Sequence, residues 1–303
     1  MTSLLNFIVW FKLMSVIYQQ HGKVILLGEH AVLRGHGALV LPMLGLNLTL
    51  EVDYAPQFSV ETIAPIEQSI GLLVESLAPR AWQLVHANQP MPTVRMQLSG
   101  NLPAGKGLGF SAAVCALLAN WAVDQAVAPC LSVVQLSQTL EHVFHGVSSG
   151  VDVIGVTETR PCLFYDLEHY EALDLTWRPK LFLSLPEGGT RTAQCVALVN
   201  ALHQRNPKRM ALVDLAMRQA LHKACETLTQ CDENPVFLAE AMCVAQRCFN
   251  VWGLVDASRQ EMIDALYAKG AIAVKLSGAG GAGCLLSLWA TSPPKSLRLL
   301  PVF

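Results

Sequence analysis

The sequence predicts an α+β fold built from two units, and three observations support this. Up to about Leu175, short runs of apolar and β-branched residues alternate with amphipathic helical segments. After Pro186, three helical segments follow one another before two further strands. Of the 303 residues, 52% are hydrophobic and only 15% are charged, which favours a large buried core over disorder. We expect an N-terminal unit over residues 1–175 and a C-terminal unit over residues 176–303.

The N-terminal unit is predicted to contain strands at residues 15–18, 24–27, 39–52, 94–98 and 163–165. The first two flank a turn predicted at His21 and Gly22. Helices are predicted at residues 67–87, 111–127 and 132–144, with Ser111 and Ser132 as N-caps of the last two. In the C-terminal unit, helices are predicted at residues 211–229, 235–249 and 258–269. Strands are predicted there at residues 181–185, 272–276 and 285–289.

Composition and charge exclude several classes of function. A net charge of −2 and the lack of a basic stripe give no reason to expect nucleic-acid binding. The nine cysteines include no C-x-x-C pair, which favours reduced thiols in the cytoplasm over a disulfide framework or a zinc site. Residues 4–18 are apolar but short for a membrane span, and Lys12 interrupts them, so no membrane partner is expected.

The most informative segment is residues 102–111, Leu-Pro-Ala-Gly-Lys-Gly-Leu-Gly-Phe-Ser, directly before an Ala-rich helical stretch. Its glycines permit positive φ and close approach of a ligand to the backbone. A glycine loop that leads into a helix N-terminus is suited to binding anions such as phosphates. A tight loop before a packed helix is the alternative, since the segment is not a Walker A sequence.

Two further glycine-containing segments favour the anion-binding interpretation over a tight loop before a packed helix. Residues 22–35 read Gly-Lys-Val-Ile-Leu-Leu-Gly-Glu-His-Ala-Val-Leu-Arg-Gly, and residues 275–284 read Lys-Leu-Ser-Gly-Ala-Gly-Gly-Ala-Gly-Cys. With the central loop, they resemble in order and spacing the three motifs of the GHMP small-molecule kinases. The resemblance extends from about Lys23 to about Leu288. It implies a ribosomal-protein-S5-like N-terminal domain, a ferredoxin-like C-terminal domain, and a nucleotide between them.

The resemblance also implies ATP and Mg²⁺ as cofactors and a homodimer as the family's usual assembly. Family members usually begin shortly before the Gly-Lys pair, so Met14 is an alternative start. The residues implied to bind ATP are Pro103, Ala104, Gly105, Lys106, Gly107, Leu108, Gly109 and Ser111, with Gly278 and Gly280 from the last glycine loop. That last loop could equally be a conformational turn between strands. Phe110 replaces a serine that is usual in the family, which removes a hydroxyl beside the phosphates.

The implied magnesium ligands are Glu141 and Ser111, because Mg²⁺ prefers hard oxygen donors. Glu141 precedes His145 and Gly146 by the four and five residues typical of the family motif. A solvated glutamate on the surface of a helix is the alternative.

The implied catalytic residues are Asp152 and Lys23. Residues 145–152, His-Gly-Val-Ser-Ser-Gly-Val-Asp, resemble the family segment that supplies the aspartate receiving or orienting the proton of the acceptor hydroxyl. A lysine close to Asp152 would favour the ionised carboxylate. Without the resemblance, an aspartate in such a loop is most often a turn or cap residue, and Lys23 a lysine at a strand edge.

Glu29, His30 and Thr192 are the residues implied to bind the acceptor alcohol. Together with the segment before Asp152, they are most similar to family members that phosphorylate mevalonate to 5-phosphomevalonate. Alternatives are a kinase for another small alcohol, of the phosphomevalonate, galactose or homoserine type, and a non-catalytic nucleotide sensor, which Phe110 alone favours. His30 could also be a structural histidine.

Overall fold

The computed structural model describes residues 15–87, 89–145, 148–185, 192–230, 233–281 and 283–303, without the side chains of residues 143–145. The apolar stretch before Ser15, the alternative start at Met14 and the predicted His145–Gly146 pair therefore lie outside the described residues or side chains. Across these ranges, no helix is both long and apolar enough to cross a membrane.

The first sheet contains six strands in the described chain: β1 Val16–Leu27, β2 Ala38–Tyr54, β3 Ser59–Thr62, β4 Val94–Gly100, β5 Cys162–Phe164 and β6 Tyr170–Ala172. Their order is β3-β4-β2-β5-β6, and β1 pairs antiparallel with β2 along nearly its whole length. Only β3 and β4 pair in parallel. The long β2 strand thus connects every part of this sheet.

The turn predicted at His21 and Gly22 is wrong, because β1 is one continuous strand with a register shift between these two residues. The glycine is needed for close packing instead. A Cβ atom at Gly22 would lie 2.7 Å from Leu102 Cδ1 and 3.3 Å from the carbonyl oxygen of Leu108. The lack of a side chain at Gly22 therefore lets β1 approach the central glycine loop.

Within the described residues, four helices accompany this sheet: α1 Gln68–His86, α2 Phe110–Asp124, α3 Val133–His145 and α4 Val151–Thr157. Helix α2 is nearly all buried. Its N-cap is Gly109, with a φ of 83°, so the N-cap predicted at Ser111 is wrong. Ser132 is confirmed as a cap, because its Oγ accepts a hydrogen bond of 3.2 Å from the Gln135 amide.

The second sheet is antiparallel in the order β10-β7-β9-β8. Its strands are β7 Lys180–Ser184, β8 Ala271–Ser277, β9 Cys284–Trp289 and β10 Leu300–Pro301. The helices of this half are α5 Thr192–Arg205, α6 Pro207–Thr229, α7 Pro235–Val251 and α8 Ala257–Ala268. Helices α7 and α8 pack on β8. Of these elements, the sequence did not predict α5 or β10.

The α+β class is confirmed, and the two sheets lie on opposite sides of the boundary proposed at residue 175. One apolar core runs through both of them, from Leu26 in β1 to Leu276 in β8. A bidentate ion pair also joins the two halves. Arg34, which follows β1, donates through Nε and Nη2 to both carboxylate oxygens of Asp214 in α6, each at 2.6 Å.

Candidate active site

A cavity of about 390 Å³ opens between the two sheets. Most residues predicted to act on ligands line it: Lys23, Glu29, His30, Ala104, Gly105, Gly107, Gly109, Ser111, Glu141, Asp152, Thr192 and Gly278. The three sequence motifs and the segment before Asp152 thus meet at one place. These segments are far apart in the sequence. They come together because β1 and β8 lie side by side where the two sheets meet.

The structure places four predicted nucleotide-binding residues beside this cavity rather than on its lining: Pro103, Lys106, Leu108 and Gly280. Leu108 is buried in the core, and its carbonyl oxygen accepts a hydrogen bond of 2.9 Å from the Lys23 amide. The carbonyl oxygen of Lys106 accepts one from the Cys284 thiol. A Cβ atom at Gly280 would meet Leu254 and Phe249 at 3.0–3.1 Å. This glycine therefore packs against these two side chains within the C-terminal half.

Lys23 connects the central glycine loop to Asp152. Its Nζ lies 2.8 Å from Asp152 Oδ1 and donates a 3.1 Å hydrogen bond to the carbonyl oxygen of Gly107. The lysine is buried, whereas the side chain of Asp152 remains 34% exposed at the cavity. Asp152 lies in the first turn of α4 and not in a loop, so the turn alternative is excluded. A buried cation therefore holds a carboxylate that ligands can reach.

Two glycines make room for the Lys23 side chain. A Cβ atom at Gly109 would lie 2.9 Å from Lys23 Cγ, and one at Gly155 would lie 2.9 Å from Lys23 Cβ. Contacts this short force a neighbour to move, so both positions require glycine for the lysine stem to pass between α2 and α4. The sequence analysis missed Gly155, because a lone glycine in a helical segment gives no signal of a distant partner.

Glu141 is buried at the same end of the cavity, which excludes the solvated-helix alternative. Its Oε2 accepts a 2.6 Å hydrogen bond from Ser148 Oγ. Within the described part of the chain, Oε1 has no hydrogen-bond partner. Burial, followed by the negative charge of Asp152, raises the pKa of Glu141 to about 7. A cation bound at Oε1 would relieve both effects.

The oxygen donors at this position suit a magnesium ion that also binds water and phosphate. They do not form a site in which protein side chains supply every ligand. The described residues contain no group of three His, Cys, Asp or Glu side chains that could hold a metal ion. Mg²⁺ commonly takes one or two carboxylates and completes its shell with water and substrate phosphates. The unpartnered oxygen of Glu141, in a cavity that Ser111 also lines, meets that requirement.

Glu29 forms a fully buried ion pair that the sequence analysis missed. Lys275 Nζ in β8 donates to Glu29 Oε1 at 2.5 Å. Burial raises the pKa of Glu29 and lowers that of Lys275, while the attraction between the two charges opposes both shifts. The signal was present as a lysine inside an otherwise apolar strand, but nothing in the sequence identified its partner.

His30 is buried and uncharged. Burial lowers the pKa of its imidazole to about 4, and Nε2 donates to the Ala279 carbonyl oxygen at 3.0 Å. The ring packs edge-on against Trp252, with centroids 5.1 Å apart. Nδ1 is then an acceptor. His30 therefore lines the cavity as a neutral residue and supplies no positive charge to it.

Phe110 and Thr192 both line the cavity. Phe110 is only 8% exposed and belongs to the apolar core as well as to the lining. Thr192 is the first residue of α5, and it is half-buried. The aromatic ring thus contributes apolar packing to the lining, whereas the threonine is a hydroxyl-bearing residue of the lining.

Comparison with known proteins gives a consistent family. Residues 76–159 match the model described as GHMP kinases N terminal domain. A protein named mevalonate kinase from Pyrococcus furiosus is 24% identical over 313 aligned positions, which cover 91% of this chain and 89% of that one.

Two solved structures show the same fold at low identity. L. major mevalonate kinase in complex with R-mevalonate superposes with a TM-score of 0.76 and 22% identity, covering 93% of this chain and 89% of that one. Streptococcus pneumoniae phosphomevalonate kinase in complex with phosphomevalonate and AMPPNP gives a TM-score of 0.73 and 15% identity, covering 95% and 98%. The expected two-domain GHMP kinase fold is confirmed. Residues 76–159 thus match the N-terminal domain model of the GHMP kinases, and relatives aligned along most of this chain are named mevalonate kinase.

Proposed function

We propose that this protein is a GHMP kinase that transfers the γ-phosphoryl group of ATP to mevalonate and forms 5-phosphomevalonate and ADP. The observation that carries the proposal is the position of Lys23, whose Nζ contacts both Asp152 and the Gly107 carbonyl oxygen. It joins the phosphate-binding loop to the carboxylate that faces the acceptor. The names of the relatives supply the substrate, since the fold alone is shared by kinases of several alcohols.

The nucleotide phosphates are proposed to bind at the N-terminus of α2. Gly105, Gly107, Gly109 and Ser111 line the cavity there, where backbone amides and the positive end of the helix dipole favour anions. Gly278 lines the same cavity, and a Cβ atom there would lie 4.0 Å from the Gly107 carbonyl oxygen. Pro103, Lys106, Leu108 and Gly280 would support the loops from behind and not contact the phosphates directly.

Glu141 and Ser111 are proposed to hold Mg²⁺, which neutralises charge on the phosphates during transfer. The support is the unpartnered, buried Oε1 of Glu141. Ser148 fixes the other carboxylate oxygen through its 2.6 Å hydrogen bond and thereby orients Oε1.

Asp152 is proposed to accept or orient the proton of the attacking hydroxyl. Lys23 Nζ, 2.8 Å from Oδ1, fixes the orientation of this carboxylate. The acceptor would lie against Glu29, His30 and Thr192, which line the remaining part of the cavity. Because His30 is neutral, its role there is hydrogen bonding and shape.

The test is ADP release by the purified protein with ATP, Mg²⁺ and mevalonate, followed by mass spectrometry of the product. We expect ADP and a phosphomonoester of mevalonate in equal amounts. Mevalonate-independent ADP release, or none, would contradict the proposal. A non-catalytic sensor has support only from Phe110. A cytoplasmic location and a homodimer are part of the proposal, and light scattering of the protein in solution tests the dimer.

A further inference from the structure

The last glycine-rich segment contacts the first motif through three alternate residues. Because side chains in a strand alternate between faces, positions 275 and 277 point to the same side. The three contacts are Lys275 Nζ to Glu29 Oε1 at 2.5 Å, Ser277 Oγ to the Ile25 carbonyl oxygen at 2.8 Å, and the Ala279 carbonyl oxygen to His30 Nε2 at 3.0 Å. One edge of the second sheet thus holds the acceptor side of the cavity.

The first of these contacts adds little net stability compared with an apolar pair of similar volume. Both charges of the pair between Lys275 and Glu29 are withdrawn from water, with side-chain exposures of 0% and 1%. Desolvation of two ions offsets most of their attraction, and an apolar pair of similar volume usually stabilises a fold as well. A buried pair at the wall of a cavity therefore requires another explanation.

The second oxygen of Glu29 supplies that explanation. Lys275 occupies Oε1, whereas Oε2 is buried and finds no hydrogen-bond partner among the residues that the structure describes. Glu29 lines the cavity that also holds Asp152. A buried unpartnered carboxylate oxygen is costly in an empty site and is satisfied when a donor arrives.

We propose that Lys275 is a positioning residue for the acceptor: it holds Glu29 so that Oε2 accepts a hydrogen bond from a hydroxyl group of the alcohol. This inference rests on the proposed kinase function. Lys275 itself touches no ligand and acts through Glu29. Without the ammonium group, burial would leave Glu29 protonated and free to rotate away from the cavity, because burial already raises the pKa of this carboxyl.

The experiment compares Lys275→Met, Glu29→Gln and the double variant with the wild-type enzyme. Lys269→Met, an exposed lysine after α8, is the matched control. For each protein, KM is measured separately for mevalonate and ATP, kcat is corrected for the folded fraction, and Tm is recorded. Removal of one partner of a buried charge pair should reduce kcat/KM for mevalonate about a hundredfold, with the KM for ATP changed less than about threefold.

The double variant decides between positioning and packing. If Lys275 acts only through Glu29, the double variant should match Glu29→Gln in its KM for mevalonate within about threefold, although its Tm recovers toward wild type. Recovery of both Tm and mevalonate KM would overturn the inference, because the pair would then serve the fold alone. A tenfold further loss beyond Glu29→Gln would also overturn it. This comparison remains decisive if Lys275→Met fails to fold.

Failure of the proposed function is visible elsewhere. It appears in the wild-type enzyme as a lack of mevalonate-dependent turnover, whereas failure of the present inference appears only in the variants. Should another alcohol be the acceptor, the same KM comparison is made with that alcohol. An unchanged KM for that acceptor in Lys275→Met then overturns the inference.

Discussion

Lys23 Nζ lies 2.8 Å from Asp152 Oδ1, and this contact brings together a strand of the first motif and a helix more than a hundred residues later. The lysine is fully enclosed, whereas the aspartate remains open to the cavity. In phosphoryl transfer the protein mainly positions the reactants and stabilises charge. In the proposed reaction, a fixed cation beside an accessible carboxylate would supply both functions at the acceptor end.

Asp152→Asn should reduce kcat by about 10²–10⁴-fold, because general-base assistance is lost. Binding of an ATP analogue should change little, since we propose that the side chain acts on the acceptor and not on the nucleotide. Steady-state kinetics and calorimetric titration measure the two effects. Asp174→Asn, at an aspartate that is 86% exposed, is the control. A kcat near the wild-type value would remove Asp152 from the mechanism.

Glu141→Gln should shift the magnesium titration of activity to higher concentration and lower kcat, because an anionic oxygen ligand is replaced by a neutral one. Activity is measured against total Mg²⁺ at fixed ATP. Glu226→Gln, an exposed glutamate on α6, should leave the curve unchanged. If both variants titrate like the wild type, Glu141 serves only to hold Ser148.

Gly155→Ala tests whether the passage for the Lys23 side chain is needed. The added methyl group would lie 2.5 Å from Val40 Cγ2 and 2.9 Å from Lys23 Cβ. Overpacking of this kind typically costs about 1–3 kcal/mol, and displacement of Lys23 should lower kcat as well. Denaturant unfolding and kcat are measured beside Gly45→Ala, where a Cβ atom meets nothing within 4 Å. Equal behaviour of the two variants would refute the packing argument.

The sequence predicted the fold class, the three glycine motifs and the residues that meet at the cavity, because glycine spacing and apolar periodicity are local signals. It did not predict contacts between distant segments. The role of Lys275 depends on its contact with Glu29, which forms only when β8 lies beside β1. The need for glycine at position 155 depends on its packing against Lys23. The prediction that Ser111 is the N-cap was wrong because the helix begins earlier, at Phe110. Its N-cap is Gly109, which adopts the left-handed conformation.

Phe110→Ser is expected to destabilise the protein more than it improves nucleotide binding. A restored hydroxyl would strengthen ATP binding by at most about tenfold, since one neutral hydrogen bond contributes about 0.5–1.5 kcal/mol. Loss of the packed ring should reduce the free energy of unfolding by about 3 kcal/mol. Denaturant unfolding and the Kd of an ATP analogue measure both effects. Wild-type stability would show that the ring contributes nothing to the core.

His30 should make stability depend on pH in mildly acidic solution. The pKa is lowered from 6.5 to about 4 in the folded state, so above pH 6.5 the neutral ring contributes fully. Between pH 6.5 and 4 the unfolded chain takes up a proton that the folded protein excludes. Stability therefore falls as the pH falls, by on the order of 3 kcal/mol from this residue. Unfolding of His30→Gln across this range should show a smaller pH dependence, and an identical slope would contradict the assignment.

The central claim is that the acceptor is mevalonate, and one competition experiment tests it most directly. The wild-type enzyme is given ATP, Mg²⁺ and equal concentrations of mevalonate, phosphomevalonate, galactose and homoserine, and the phosphorylated products are resolved by ³¹P NMR. We predict a single new phosphomonoester, 5-phosphomevalonate, that is absent with Asp152→Asn. Phosphorylation of another alcohol in preference to mevalonate would contradict the account.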